Sequence, residues 1–308
     1  MFKTASIFNT ASKIEAAKAE IVAKWGAWTA EQIDLGHGVF TGGYDEDPSN
    51  RARLRTAVQV FSDQLGGSLK GKRILDMGCL EGKFSVEFAR HGATVVSVDA
   101  REANIEKARF AAQVLKLPIT FLQVDVSDIQ PDSLGKFDGV FCAGLFYHLN
   151  VNHAFKLLSL IKALTAQVAI IETCYALNFD ERAVVNGVTY YGESYVEFTE
   201  SEFNPETVEG AAWSSTRDKN VFFFTERSLV RAIQNAGFSS VYKALVPNGR
   251  SVENRDFFVA RIGQTLPVLT GHDFFRDMPE QPVRELSSLP TTNPGKGRSL
   301  HNPESERI

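Results

Sequence analysis

Cysteine is scarce in this chain of 308 residues, which contains three: Cys79, Cys142 and Cys174. No two of them have the Cys-x-x-Cys spacing of a metal or redox pair, so we expect reduced, partly buried thiols. Long apolar runs are also missing, including the one that a signal peptide would need near the N-terminus. These absences predict a cytoplasmic protein that does not enter a membrane.

Positive charge is not in excess either. The chain has 33 Lys and Arg residues against 37 Asp and Glu residues, a net charge of −4, and no dense basic run. Proteins that bind nucleic acid usually present a basic surface, so nucleic acid is disfavoured as a partner. A hydrophobic fraction of 44% with 23% charged residues is an ordinary composition, sufficient for a sizeable core.

The most informative stretch runs from Ile74 to Glu102 and reads ILDMGCLEGKFSVEFARHGATVVSVDARE. Its pattern predicts a strand, a glycine turn, a helix, a second strand and then an acid. Gly78 and Gly82 permit a tight turn with close backbone approach. Asp99 closes the second strand 21 residues after Gly78 (99 − 78). A carboxylate there can accept hydrogen bonds from both ribose hydroxyls of a nucleoside cofactor.

The turn itself narrows the choice of cofactor. A dinucleotide site uses Gly-x-Gly-x-x-Gly, whereas this turn has acids at Asp76 and Glu81 around its glycines. Two carboxylates would repel a pyrophosphate and attract an ammonium or sulfonium cation. S-adenosylmethionine carries both cations, so we predict it as the cofactor.

The alternation of apolar runs and helical spacing predicts an α/β fold, a Rossmann-like, doubly wound, mostly parallel seven-stranded sheet. The N-terminal residues 1–66 would form a helical cap and 67–262 the cofactor-binding core. Within the core, 174–220 lacks sustained periodicity and would be an irregular substrate-cap insertion over the strand ends. Together with Ile33 to Asp45 it would form a mobile cap that closes over cofactor and acceptor. Residues 263–308 are punctuated by Pro, Gly and Ser and would form an irregular arm, with homo-oligomerisation through it as one option.

Four segments together resemble the class I S-adenosylmethionine-dependent methyltransferases, over about Lys72 to Arg261. They are the DMGCLEG turn, the acid after the second strand, FLQVDVSDI and FDGVFCAGLFYHL. The middle glycine of that superfamily's turn is Leu80 here. The GLFYHL segment is similar to a branch with tRNA wobble-uridine (carboxy)methyltransferases and methyltransferases of sugars and natural products, and Ile33 to Asp45 resembles that branch's segment before the core.

The resemblance implies a set of cofactor-binding residues. The turn would contact the methionine part, Asp99 the ribose, Asp125 the adenine amino group and Val126 the ring. The loop after the fourth strand would lie beneath the sulfonium, and Tyr147 is similar to a tyrosine that lines the pocket in the tRNA branch. The full set is Asp76, Gly78, Cys79, Gly82, Asp99, Ala100, Asp125, Val126, Cys142, Ala143 and Tyr147.

Two further residues are candidates for chemistry. His148 follows the fourth strand, where an acceptor would approach the methyl group, and an imidazole suits a general base. A structural histidine bonded to backbone is the alternative. Glu172 ends the fifth strand and could orient substrate, serve as base or be a plain strand-end acid. His148 and His153 lack further ligands nearby, so no metal site is predicted.

The predicted function is methyl transfer to an O or N nucleophile of a small or medium polar acceptor, a sugar or natural product. Three alternatives stay open: a tRNA wobble-base methyltransferase, a nicotinamide-dependent oxidoreductase, and a cofactor-binding regulatory module without turnover.

Overall fold

The computed structural model describes residues 8–30, 32–42, 48–246 and 254–266. Its central feature is a seven-stranded sheet in which five parallel strands are followed by an antiparallel pair at one edge. The strands of this sheet and of two smaller sheets are, in chain order, β1 (Asp34–Gly36), β2 (Val39–Phe40), β3 (Arg73–Met77), β4 (Thr94–Asp99), β5 (Ile119–Gln123), β6 (Phe137–Ala143), β7 (Thr165–Cys174), β8 (Glu181–Val185), β9 (Val188–Val196), β10 (Asn220–Phe224), β11 (Ser240–Ala244) and β12 (Arg255–Arg261).

The sheet order is β11-β12-β7-β6-β3-β4-β5, and helices cover both of its faces. The α-helices are α1 (Ala11–Trp25), α2 (Pro48–Gln64), α3 (Lys83–Arg90), α4 (Glu102–Leu115), α5 (Pro131–Leu134), α6 (Val151–Leu164), α7 (Pro205–Gly210) and α8 (Glu226–Asn235). The predicted Rossmann-like, mostly parallel seven-stranded architecture is thereby confirmed.

Alternation along the buried strands divides the core between the two faces of the sheet. Leu75 and Met77 of β3 pack on the side of α6 and α8, whereas Ile74 packs on the side of α2 and α3. Gly139 of β6 lies under the ring of Phe61 from α2, where a Cβ would approach a ring carbon to 2.7 Å. This close contact seats α2 directly on the sheet.

The order of the strands places a crevice at one edge of the sheet. β3 lies between β4, which follows it in the chain, and β6, which comes later. The chain therefore reverses its direction of travel across the sheet at β3, and in such folds ligands bind outside the carboxyl ends of the strands at this point. The glycine turn leaves β3 at that end.

The turn-rich composition of Gly36 to Asn50 predicts a loop, but this segment contains regular structure. β1 and β2 pair as a short antiparallel hairpin, and α2 already begins at Pro48. Proline is suited to the first turn of a helix because its missing N–H has no intrahelical partner there. The prediction erred because turn residues dominate both ends of these short elements; residues 43–47 lie outside the described ranges.

The insertion after β7 is also more regular than predicted. β8, β9 and β10 form a three-stranded antiparallel sheet, and α7 lies between β9 and β10. The turn between β8 and β9 consists of Asn186 and Gly187, both with positive φ, at 51° and 78°. Asn-Gly between apolar residues is a strong hairpin signal, so the sequence did carry the information that corrects the expectation of an irregular insertion.

Residues up to Gly263 form one compact unit. The described part of the N-terminal 1–66 lies within it: Ile14 of α1 is fully buried together with Phe110 and Ala111 of α4. The boundaries of the three predicted domains stay a prediction, and residues 267–308 of the expected C-terminal arm lie outside the described ranges. No helix in the described parts combines the length and apolarity that a membrane span requires.

Candidate active site

In the turn after β3, residues 78–82, every second residue has a left-handed backbone conformation, and main-chain hydrogen bonds connect the turn to β4. Gly78, Leu80 and Gly82 have φ of 70°, 50° and 87°. The N–H groups of Gly78 and Cys79 donate to the carbonyl of Val98 at 2.9 and 3.0 Å. Leu80, which replaces a glycine of the resembled motif, therefore keeps the backbone conformation that glycine favours, at a typical cost of about 1 kcal/mol.

The two glycines of the turn are needed for close packing as well as for backbone conformation. A Cβ on Gly82 would lie 2.8 Å from Cβ of Ala108 in α4, and one on Gly78 would lie 3.3 Å from Cβ of Leu145. Leu145 belongs to the loop after β6. Gly78 thus lets that loop approach the turn, and Gly82 lets α4 do so.

Asp99 lies at the carboxyl end of β4 and is 8% exposed. Its Oδ2 accepts a hydrogen bond from Leu80 N at 2.9 Å. Its Oδ1 accepts from Arg101 N and from Asn104 Nδ2, each at 3.0 Å. Burial raises the pKa of this carboxyl, while the three donors oppose the shift. A carboxylate has about four acceptor positions, so one remains open, on Oδ2.

The two acids at the turn, Asp76 and Glu81, have different roles. The expectation that both carboxylates present negative charge to a cofactor is wrong for Glu81. Both Glu81 oxygens accept from Thr29 N at 2.9 and 3.0 Å, and Lys107 Nζ lies 3.0 Å from Oε1. Ala30 N donates to Oε2 at 2.8 Å. Glu81 is thus neutralised by Lys107 and anchors the N-terminal segment.

Asp76 is 2% exposed and accepts from Ser85 of α3, whose hydroxyl in turn accepts from Ser97 of β4 at 2.8 Å. Burial raises the pKa of Asp76 to about 7. Its carboxyl therefore ties β3, α3 and β4 together directly beneath the glycine turn.

The segment between β9 and β10, residues 197–219, covers the far side of the crevice, and we call it the cap segment. Asp125, after β5, accepts from Thr216 Oγ1 at 2.8 Å and pairs with Arg217 Nε at 2.9 Å. Arg101 donates from Nη2 to the carbonyls of Val208 and Ser214 at 2.9 and 3.1 Å. Two groups beside the predicted nucleoside site are therefore bound by the cap segment.

Four of the predicted cofactor residues differ in what they can present to a ligand. Cys79 and Cys142 are buried among apolar side chains, and burial raises the pKa of both thiols. Val126 is 9% exposed in the same core as Cys142, whereas Ala100 is half-buried after β4. We expect Cys79 and Cys142 to reach a ligand through main-chain atoms.

The loop after β6 meets the ends of β7 and β12. Gly144, which follows the half-buried Ala143, donates its N–H to the carbonyl of Glu172 at 3.0 Å. The guanidinium of Arg255 lies 5.3 Å from the ring centre of Tyr147. Burial raises the pKa of the Tyr147 hydroxyl to about 12, so it is a hydrogen-bond donor at neutral pH.

Glu172 is clamped by two guanidinium groups. Arg255 binds it through Nε and Nη2 at 2.6 and 2.8 Å, and Arg53 Nη2 lies 3.1 Å from its Oε1. Burial opposes ionisation, but the two arginines prevail and lower the pKa of this carboxyl. A carboxylate stabilised in this way is a weak base, so the geometry favours an orienting role for Glu172 among those predicted.

His148 contacts a residue that sequence reasoning missed. Its Nδ1 hydrogen-bonds Oε1 of Glu197 in the cap segment, and its backbone N–H donates to the carbonyl of Leu145 at 3.0 Å. Glu197, Arg101 and Arg255 carry no local signal of a role, because their partners are distant along the chain. In the parts of the chain that are described, no cluster of His, Cys, Asp or Glu side chains is placed to bind a metal ion.

Comparison with known proteins bears on the family and the fold of the chain. Residues 74–167 match the methyltransferase domain family. The N-terminal domain of EvdMO1, crystallised in the presence of SAH and D-fucose, superposes with a TM-score of 0.60 at 24% identity, covering 82% of this chain and 97% of that one. This likeness is one of fold. The chain therefore carries a methyltransferase domain of the class I, S-adenosylmethionine-dependent superfamily, and the resemblance is confirmed.

Curated relatives match over shorter stretches. The ubiquinone biosynthesis O-methyltransferase of Alkalilimnicola ehrlichii is 32% identical over 83 residues, 27% of this chain and 34% of that protein. Its counterpart from Rickettsia conorii is 28% identical over 144 residues, 46% and 48% of the two chains. O-methyltransferase resE of Aspergillus sclerotiorum is 26% identical over 138 residues, 43% and 52%. The chain thus spans between a third and about half of the length of these relatives.

Proposed function

We propose that this protein transfers a methyl group from S-adenosylmethionine to a hydroxyl oxygen of a small or medium polar acceptor, a sugar or natural product. The observation that carries the proposal is Asp99, at the carboxyl end of β4: its Oδ2 binds the glycine turn through Leu80 N and has one acceptor position left. Oxygen is the favoured nucleophile because the curated relatives are named O-methyltransferases. The EvdMO1 domain, with D-fucose in its crystals, supports a sugar-like acceptor.

The residues present fit the cofactor. The turn has no side chain at Gly78 or Gly82, both of which have positive φ, so its backbone can come close to a ligand. Asp99 would hold the ribose, and the remaining acceptor position of Asp125 Oδ1, which already accepts from Ser127 N, would serve the adenine amino group. Since Asp99 has one open position, accepting from both ribose hydroxyls requires the release of one present donor.

The cofactor would supply an activated methyl group on a good leaving group, so the task of the protein is alignment and exclusion of water. The described residues support each part of this task. The glycine turn and Asp99 position the donor, Tyr147 and the Glu172–Arg255 pair line the side toward the acceptor, and the cap segment covers both. His148 would receive the proton of the acceptor hydroxyl.

Calorimetry with S-adenosylhomocysteine tests the binding half of the proposal. We expect Asp99→Ala to lose about 2 kcal/mol of binding free energy, roughly 30-fold in affinity, as is typical for a hydrogen bond to a charged group. Asp132→Ala, which removes an exposed acid of α5, is the matched control and should bind like the wild type. Equal affinity for Asp99→Ala and the wild type would remove Asp99 from the site.

Transfer of tritium from methyl-labelled S-adenosylmethionine tests the other half. Free and nucleotide-linked hexoses, polyphenols and bulk tRNA form the acceptor panel. We expect label in a methoxy group of a sugar or polyphenol. Label in tRNA alone would establish the wobble-base alternative, and tight cofactor binding without transfer to any cell extract would favour a regulatory module.

A further inference from the structure

A carboxylate of the cap segment contacts the histidine that follows β6. His148 Nδ1 hydrogen-bonds Glu197 Oε1, and the two side chains are only 14% and 6% exposed. We propose that Glu197 is a positioning residue for methyl transfer: it fixes the tautomer and ring orientation of His148 so that Nε2 takes the proton of a hydroxyl acceptor. This inference rests on the proposed function and adds to it how the base is built.

Glu197 is itself held in place from two sides. Its Oε2 accepts from Ser215 N at 2.8 Å, and its own N–H donates to the carbonyl of Lys219 at 2.8 Å. Among the residues that the structure describes, no lysine or arginine forms a salt bridge with Glu197, and Arg101 interacts with it electrostatically without direct contact. The hydrogen bonds of the carboxylate go to the imidazole and to one backbone amide.

The contact decides which ring nitrogen of His148 carries the proton. An ionised carboxylate can only accept, so Nδ1 must be the donor and Nε2 of the neutral ring is left with its lone pair. Within the described ranges, Nε2 has no hydrogen-bond partner. The ring also lies against Tyr147, with ring centres 4.2 Å apart, which limits its rotation.

The same contact stabilises the charge that forms during the reaction. The acceptor oxygen bonds to the methyl carbon, the electron pair of the carbon–sulfur bond goes to sulfur, and the hydroxyl proton goes to Nε2 of His148. The resulting imidazolium lies beside the buried carboxylate of Glu197, in the arrangement by which an acid supports the histidine of a catalytic triad. The proton then returns to water.

The arrangement also bears on the acceptor and on the cap segment. A base is needed only where the acceptor must lose its proton to become a nucleophile, so a dyad built for proton removal points to a hydroxyl. His148 belongs to the core and Glu197 to the cap segment, so the dyad exists only while these two parts are in contact. Closure over the substrates would thereby be coupled to formation of the base.

Kinetics of Glu197→Gln test the proposal. We expect kcat for the acceptor that the labelling panel identifies to fall between about tenfold and 100-fold, with the affinity for S-adenosylhomocysteine and the melting temperature close to wild type. Glu200→Gln is the matched control, because Glu200 lies in the same segment with 89% of its side chain exposed. It should keep the kcat of the wild type.

A double-mutant cycle separates positioning from structural support. His148→Ala should lower kcat by about 10²-fold or more, and Glu197→Gln should add nothing in that background. If Glu197→Gln keeps wild-type kcat, or lowers kcat equally with and without His148, Glu197 has no positioning role and the inference is overturned.

An acceptor-independent measurement keeps this test separate from that of the proposed function. In protein labelled with ¹⁵N-histidine at about pH 8, where an ordinary imidazole is neutral, we expect two rings to be protonated at Nδ1: His148, and His153, whose Nδ1 lies 2.9 Å from the Asp218 carboxylate. The signal that is lost in His148→Ala belongs to His148, and it should change to the Nε2 tautomer, or to a mixture, in Glu197→Gln, while the His153 signal stays. An Nε2-protonated His148 in the wild type would overturn the inference even if methyl transfer is observed. Failure of the wild type to bind S-adenosylhomocysteine would overturn the proposed function, and with it the role of Glu197 in methyl transfer, whatever the tautomer of His148.

Discussion

The glycine turn and the cap segment meet at the same crevice, but different forces hold them there. The turn is placed by main-chain sterics and by apolar packing, with Gly82 against Ala108 and Gly78 against Leu145. The cap segment is placed by polar contacts, such as those of Asp125 with Thr216 and Arg217. The exposed ion pairs of Arg217 contribute little free energy, whereas the contact of Glu197 with His148 is buried, so the comparison predicts a rigid floor and a cap segment that opens at low cost on its Arg217 side.

Gly82→Ala is the strongest test of the rigid floor. The new Cβ would lie 2.8 Å from Cβ of Ala108 and the residue would keep a φ of 87°, so we expect a loss of about 3 kcal/mol in the free energy of unfolding. Gly71→Ala is the control, since Gly71 has a φ of 75° but open space around it. Urea denaturation should show a smaller loss there, about 1 kcal/mol. Equal losses of stability in the two variants would mean that the contact with α4 is not the reason why residue 82 must be glycine.

Asp76→Asn tests the buried acid under the turn. Burial raises the pKa of Asp76 from 3.8 to about 7, so the folded state binds this proton more tightly than the unfolded state. The protonated acid therefore makes its full contribution to the stability of the wild type below about pH 4. This contribution is lost as the pH rises to about 7. Asparagine does not titrate, so the stability of Asp76→Asn relative to wild type should rise across that window, by about 4 kcal/mol in total.

Denaturation curves at several pH values measure this difference. Asp132→Asn, which changes an exposed acid of α5, should show no comparable trend relative to wild type. If the difference in the free energy of unfolding between Asp76→Asn and wild type stays constant from pH 4 to pH 8, the pKa of Asp76 is not raised by burial.

Arg217→Ala should have the smallest effect on stability and the clearest effect on opening. Arg217 is 43% exposed and pairs with Asp125 and Asp128, so we expect less than about 1 kcal/mol of lost stability. Hydrogen exchange of the cap segment should nevertheless become faster, while exchange in β3 and β4 stays unchanged. Arg182→Ala, at an exposed arginine of β8, should alter neither.

The same measurement sharpens the comparison when a ligand is present. S-adenosylhomocysteine with an acceptor should increase protection of the cap segment more than that of the core strands. Equal protection with and without ligands would mean that residues 197–219 are fixed scaffold rather than a closing element.

The sheet could be predicted from the sequence because its signals are local. Buried parallel strands appear as short apolar runs, and Gly78, Gly82 and Asp99 follow these runs at positions that the fold brings to one edge. The Asn186–Gly187 hairpin carried an equally local signal, although the aromatic and acidic residues around it obscured the pattern. Leu80 shows that this backbone conformation does not strictly require the glycine of the motif, since the chain adopts the left-handed conformation with leucine at that position.

The partners of the polar side chains were decided by tertiary structure alone. Glu197 meets His148 across 49 residues, and Arg101 meets Ser214 across 113. Glu81 binds Lys107 and the N-terminal segment, although its place in the turn indicates a role toward a cation. A strand, a turn or a helix cap depends on neighbours a few residues away, and so the sequence determined them. The partner of a long polar side chain depends on which distant segments the fold brings together, and no local pattern encodes that.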